Sequence, residues 1–510
     1  MPILSNVRLI TVFCLSSASQ TLLPGSTLVG AAATGQHLNH RIDGALPTEV
    51  DVVVVGGGFS GLMSAYDLDQ AGLKTVVLEA KEVIGGRSRS ITRQSGPGII
   101  ELGATWINNI TQPEVFALTE MFGLETAEQF TEGDSIVQGD DGRALRFPPG
   151  APVSTDNETL AELEGLLYAL IDEAAEEVDI HDFEFPAEKD VTLDQWVAQH
   201  NLWQHQHVRT MTSGLTTALL GREPHEIGAH YFLDYVKSGQ GLVSLSSEGE
   251  FGAQSLKIKQ GTTSIATNLA GSLTLGSVRV DTPVSSVTQH NDTVLVTAET
   301  GETFRAKKVI IAIPTNTYSD VTFSPALPCD KTALASQTKP GIYAKLIINY
   351  AEPWWRNAGL AGKFTSAVGP VSFGWETSDV ALSQYSLAIF VAGDKAARWH
   401  ELPEGRKGDA IIEHLTSLVG DELADEARNV LELNYVKWTL EEYLWGAPTN
   451  SMGPGLLRKY GAVLREPFGD VHFGGGETAY EWKGYLEGAV TAGQRAAKEV
   501  IKALSTEGNE

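Results

Sequence analysis

The chain has 510 residues, 42% of them hydrophobic, and a formal charge of -27, enough to bury a large core in more than one domain. Its acidity argues against nucleic acid or an anionic membrane surface as partner; it either steers cationic ligands or serves solubility alone. Two cysteines, Cys14 and Cys329, make neither a disulfide framework nor a thiolate cluster, and the twelve histidines lack HxxxH-type spacing, so no metal site is expected.

Residues 1–42 hold no Asp or Glu; Arg8 precedes the apolar run LITVFCL and then the small residues SSAS and AAAT. This reads as a secretory signal or other targeting leader, with a disordered tail as the alternative. A leader implies secretion or the secretory lumen; without one the protein is soluble and intracellular. Sequons at Asn109, Asn157 and Asn291 permit glycosylation. No run of eighteen or more apolar residues occurs, so no membrane-spanning helix is expected.

The stretch VVVVGGGFSGL, 52–62, begins with a strand buried on both faces. Gly56, Gly58 and Gly61 fit G-x-G-x-x-G, and Leu62, Ala65 and Leu68 recur at helical spacing before a second strand, KTVVLEAKE. Strand, glycine turn, helix and strand make one βαβ unit. Gly56 permits the tight turn, Gly58 lets a pyrophosphate approach the backbone, and Gly61 lets helix pack on strand. The helix start offers free N–H groups to phosphates. Glu79, about twenty residues on, is placed to accept from ribose hydroxyls. Up to this point NAD and FAD fit equally.

The following segments carry a resemblance. IGGRSRS, with Gly85, Gly86 and Arg87, resembles the second glycine pair of the FAD-dependent amine oxidase superfamily, which lies against the flavin diphosphate. ELGATWI, 101–107, is similar to that family's segment lining the isoalloxazine pocket, which implies flavin contacts at Gly103, Ala104 and Thr105. TLAELEGLLYALIDEAAEEV reads as a helix with Leu160, Leu163, Leu166, Leu167 and Leu170 along one side and a solvated acidic face. Gln254, in FGAQSLK, resembles a polar residue facing the amine. LKIKQGTTSIATNLA and the β-rich stretch ending in VIIAI before Pro314 continue the match. GIYAKLIINYAEPWWR places Lys345, among Ala344, Leu346 and Ile347, where the family keeps a lysine linked through water to flavin N5.

Near the C-terminus, VKWTLEEYLWGAPTNSMGPGLL resembles the segment that carries the covalent flavin cysteine of animal monoamine oxidases, but the cysteine position falls on Ala447. Trp438 registers beside the flavin or substrate. Pro448 replaces the tyrosine that forms one wall of the aromatic cage; Trp445 or Tyr443 could supply that wall from the same turn, and spacing does not choose between them. GDVHFGGGETAYEWKGYLEGAV is similar to the family's last motif, a strand and glycine turn leading to a helix that starts near Tyr485. It implies flavin contacts at Gly475, Gly476, Glu477 and Leu486 and substrate walls at Tyr485 and Trp482.

The resemblance spans 48–503, and the chain is identified as a member of the flavin monoamine oxidase family, most like its soluble fungal type. It implies a mixed α/β fold in which a Rossmann-type FAD domain (48–125, 259–335, 441–503) is interleaved with a sheet-plus-helices substrate domain (126–258, 336–440). It also implies non-covalent FAD and oxidative deamination of a primary amine by O2, giving aldehyde, ammonia and hydrogen peroxide. Lys345, Tyr485 and Trp445 are the expected catalytic group, Lys345 acting in reoxidation. Polyamine oxidation, with acidic residues from Glu441 or Glu442, L-amino-acid oxidation, and a flavin scaffold without turnover are the rival readings. No membrane anchor is expected, since membrane-bound relatives continue into an apolar tail; a homodimer is admissible.

Overall fold

A computed structural model describes residues 46–149 and 158–507; the 1–42 segment and the Asn157 sequon lie outside the described residues. An uninterrupted β-branched run is satisfied only where both sheet faces are covered, and Val52–Val55 is buried at all four positions. It lies at the centre of a five-stranded sheet whose spatial order is Val278–Arg279, Thr75–Leu78, Val52–Val55, Lys308–Ile311 and Val471–Phe473. Every neighbouring pair is parallel. The apolar runs VIIAI and VHF therefore join the first glycine strand from far along the chain.

Side chains alternate across this sheet, and each face has its own core. Val52, Val54, Val77 and Ile310 pack on Leu62, Ala65, Leu269, Val490 and Ala496, which belong to the helices Phe59–Gln70, Thr263–Ser272 and Leu486–Glu507. Val53, Val55, Val76, Val309 and Ile311 pack on Val287, Val294, Val296 and Phe304 of a second, five-stranded sheet.

A seven-stranded sheet forms the other half. Its order is Val430–Val436, Tyr343–Tyr350, Tyr385–Ala392, Phe373–Glu376, Leu360–Ser366, Asp134–Gln138 and Ala144–Phe147. Beside it, the helices Glu158–Glu176, Gln206–Leu220 and Ala229–Ser238 share a core around Trp196, Phe232, Tyr235 and Trp482. On the acidic helix the buried stripe runs Leu163, Leu167, Ile171 and Ala175. Leu166, expected on that stripe, is exposed, because a spacing of four along the stripe leaves it on the neighbouring face. No described helix is long and apolar enough to cross a membrane. The fold class is mixed α/β, as expected.

Candidate active site

One cavity reaches from the glycine turn to the face of the seven-stranded sheet. At its nucleotide end Gly56 has φ +107°, and a Cβ there would lie 2.8 Å from the Ala312 carbonyl oxygen. At Gly61 a Cβ would lie 1.9 Å from the Gly56 carbonyl oxygen, so only glycine lets the helix start this close to the turn. Gly58 and Gly86 face one another across the cavity wall, a Gly86 Cβ falling 3.3 Å from the Gly58 Cα. Glu79 lines the cavity and is buried, which pushes its carboxyl pKa up. Its Oε2 accepts from the Gly57 N–H at 2.6 Å and its Oε1 from the Lys81 N–H at 2.9 Å. A carboxylate has about four acceptor positions, so capacity remains for a ligand hydroxyl.

The C-terminal motif closes the same cavity. Arg87 Nη1 lies 2.8 Å from Glu477 Oε1 and donates to the Pro448 carbonyl at 2.7 Å, tying three distant segments together. Asn450 also donates to Glu477 Oε1, at 3.3 Å, while the buried Glu477 Oε2 has no protein partner. The helices Phe59–Gln70 and Leu486–Glu507 both start at the cavity, through Phe59 and Ser60 and through Leu486 and Ala489. Two helix N-termini, facing glycines and an unpartnered buried acceptor fit an anionic dinucleotide with ribityl or ribose hydroxyls.

Beyond the glycines the cavity turns aromatic. Strand register sets Lys345 beside Phe390, and Phe390 beside Phe373, so the three share one face of the sheet. Phe373 stacks on Phe390 with ring centroids 4.8 Å apart, and Trp375 meets Phe373 edge-on at 5.2 Å. Trp106 approaches Trp375 edge-on at 5.3 Å. Lys345, 2% exposed, donates to the Gly103 carbonyl at 2.7 Å and to the Thr105 hydroxyl. Burial lowers its pKa to about 7, against a smaller upward pull from Glu101. Trp438 donates through Nε1 to the Leu102 carbonyl at 3.0 Å. Gln254 donates to the Leu245 carbonyl at 3.1 Å, and the Tyr485 hydroxyl reaches the same carbonyl at 3.5 Å. Gln254 Oε1 is buried without a partner.

Gly56, Gly58, Glu79, Gly85, Gly86, Arg87, Gly103, Ala104, Thr105, Gln254, Lys345, Trp438, Pro448, Gly476, Glu477, Tyr485 and Leu486 all line this cavity. Four expectations need correction. Trp445 does not line it: the residue has φ +57° and its side chain turns outward, 42% exposed, whereas Tyr443 of the same turn does reach the wall. Trp482 is 1% exposed in the helical core and backs Tyr485 edge-on at 5.2 Å, so it supports a wall instead of forming one. Gly475 stands behind the wall as a close-packing position, a Cβ there falling 2.6 Å from the Ile313 carbonyl oxygen, whereas Gly61, also behind the wall, keeps the helix-packing place expected of it. Glu441 is held by Lys81 and Arg89, and neither it nor Glu442 lines the cavity. The sequence reading missed the aromatic sheet face and Tyr235. Its signal was present in the i, i+2 pairs Tyr343/Lys345 and Phe373/Trp375, the period of one strand face.

The family model described as flavin containing amine oxidoreductase matches residues 59–501. The chain is 30% identical over 465 residues to the pig protein named amine oxidase [flavin-containing] B, covering 90% of this chain and 87% of that one. It is 29% identical to the Dictyostelium discoideum protein named probable flavin-containing monoamine oxidase A, over 89% of this chain and 98% of the relative. Among solved structures, putrescine oxidase bound to putrescine superposes with a TM-score of 0.83 at 26% identity, covering 90% of this chain and 100% of its own. Cyclohexylamine oxidase from Brevibacterium oxydans also gives 0.83, at 28% identity, over 89% and 99%.

Proposed function

The chain belongs to the flavin-containing amine oxidoreductase family, and from that premise we propose that it holds FAD non-covalently and deaminates primary monoamines with an apolar body. The products are aldehyde, ammonia and hydrogen peroxide, with O2 as acceptor. When bound, the flavin ring supplies the sink for two electrons and a hydride equivalent from the C–N carbon. The glycine turn, Glu79 and the two helix starts are the groups that would hold its nucleotide; Arg87, Glu477 and Trp438 would hold the part nearer the ring. Non-covalent attachment is supported by Ala447, which has no nucleophile, and by Cys329, which does not line the cavity; Cys14 lies outside the described residues.

This chain's own residues do the rest. Tyr485, Tyr343, Phe373, Trp375 and Phe390 exclude water and orient a slim apolar body, and their faces attract the ammonium before it loses its proton. Pro448 leaves the wall opposite Tyr485 thinner than an aromatic pair would. Lys345, held by Gly103 and Thr105 and charged below about pH 7, would supply the positive charge that favours reoxidation by O2.

The distribution of charge along the cavity carries the choice of substrate. Its carboxylates are Glu79, Glu299, Asp320 and Glu477. The Glu299 backbone N–H donates to the Pro283 carbonyl beside the Glu79 strand, Asp320 and Glu299 face Tyr443, and Glu477 pairs through Oε1 with Arg87. Among the described residues none remains beside the aromatic face to hold a second ammonium, as a diamine requires. Among the same residues the one lining arginine, Arg87, is paired with Glu477 and so is not free to clamp an amino-acid carboxylate. The test uses purified holoprotein. Acid precipitation should release all flavin to the supernatant as FAD, and anaerobic benzylamine or hexylamine should bleach the flavin band. Putrescine, spermine and leucine should bleach it at least ten times more slowly. Yellow colour retained on the pellet rejects the non-covalent link, and preferential bleaching by a diamine or by leucine rejects the monoamine reading.

A further inference from the structure

The helix Ala229–Ser238 is buried at nine of its ten positions, and one of its faces holds both walls of the cavity's amine end. Tyr231, Asp234, Tyr235 and Ser238 lie at i, i+3, i+4 and i+7, a single stripe. Tyr231 donates its hydroxyl to the Asn450 carbonyl at 2.7 Å, two residues beyond Pro448. The other three residues each hold one residue of the turn before Tyr485. The Trp482 N–H donates to the Ser238 carbonyl at 2.8 Å. Lys483 Nζ donates to Asp234 Oδ2, the side chains being 6% and 1% exposed. Gly484 sits under Tyr235, where a Cβ would lie 3.0 Å from the Tyr235 hydroxyl and 3.3 Å from Thr449 Cβ. The turn is one that the chain does not favour alone, because Trp482 has φ +51°, a left-handed backbone that costs a bulky residue, while glycine at 484 allows φ +81° without that cost.

A buried ion pair is a poor source of net stability, because desolvation of both groups offsets their attraction. Asp234 Oδ1 has no hydrogen-bond partner among the described residues. What such a pair does provide is a distance: in a low-dielectric surrounding the attraction weakens steeply on separation. We infer that Asp234–Lys483 is a positioning pair, which locks the turn carrying Tyr485 onto the helix Ala229–Ser238 and so fixes Tyr485 relative to the Pro448 segment. The inference rests on the reading of this cavity end as the amine site. Neither residue lines the cavity, so both act through Tyr485.

The test pairs D234L/K483M, which keeps bulk and removes both charges together, with Lys483→Gln, which keeps a hydrogen bond to Asp234 without the charge. Both should load FAD with the wild-type absorbance spectrum and reoxidise in O2 at the wild-type rate. The limiting rate of anaerobic reduction by benzylamine should fall about 10- to 100-fold in the double variant, the loss expected when a reacting group is displaced by roughly an ångström, and less in Lys483→Gln. A crystal structure of the double variant should show Tyr485 displaced. A wild-type reduction rate in the double variant, or an equal loss in both half-reactions, overturns the inference, and so does failure of both variants to fold, which assigns the pair to stability alone. Absence of bleaching in the wild type refutes the amine-site reading instead; the position of Tyr485 in the variant crystal then still reads the pair.

Discussion

Lys345 is held at 2% exposure between Gly103 and Thr105, with a pKa lowered to about 7 by burial. Below about pH 7 it is charged, and a positive charge there favours electron transfer to O2. Reoxidation should therefore be fastest below neutrality and decline as pH rises through about 7. Lys345→Met should slow reoxidation at least tenfold, abolish that inflection and change anaerobic reduction much less; stopped-flow absorbance of the two half-reactions across pH 5.5–9 measures both, and an equal effect on each rejects the role. The same shift has a stability consequence. The unfolded lysine binds its proton up to about pH 10.4, so between about 7 and that value the unfolded state holds more protons and stability rises with pH. The Met variant should lose that rise. Lys345 was legible because its segment resembles the family's lysine strand, and the apolar residues on either side marked it as buried. Trp445, Trp482 and Glu441 misled for the opposite reason: each lies near the right place in the chain, but only the backbone at φ +57° and φ +51°, and the cations Lys81 and Arg89, decide where the side chains go.

Among the elements, the Phe373–Glu376 strand makes the clearest claim on specificity. Phe373 is 8% exposed, stacks on Phe390 and lines the cavity beside Trp375. Phe373→Ala removes the ring from both a packed row and a wall. It should cost about 3 kcal/mol, the lower end for a buried Phe because one side already faces the cavity. It should also raise kcat/KM for a bulky arylalkylamine relative to benzylamine. Denaturant unfolding and a two-substrate comparison check the pair of effects, and an unchanged substrate ratio would remove Phe373 from the specificity wall. Continuous runs such as VVVV and VIIAI announced their strands, and glycine turns announced the helices after them, since these are local signals. The row Lys345, Phe390, Phe373 was not announced, because register between strands far apart in the chain leaves no mark in any one of them. For the same reason the pairing of Asp134–Gln138 with Leu360–Ser366 was out of reach.

Across the whole molecule, sequence stretches that resemble flavin motifs, around Arg87, Thr105, Lys345, Pro448 and Glu477, converge on one cavity, and the order of those motifs made this convergence readable from the chain alone. The net charge of -27 acts at the same scale, because it is the field of the entire surface that an approaching amine meets before any wall. Primary amines arrive as cations at pH 7, so the long-range field should raise their encounter rate. Raising ionic strength from about 0.01 to about 0.15 M shortens the Debye length from about 30 to about 8 Å and should lower kcat/KM for benzylamine several-fold. The limiting rate at saturation should stay constant, since the bound amine no longer feels the distant field. A neutral competitive ligand such as benzyl alcohol should keep the same inhibition constant across that range. If salt weakens the neutral ligand as much as the cation, the effect is on the fold and not on approach, and the acidity then serves solubility alone.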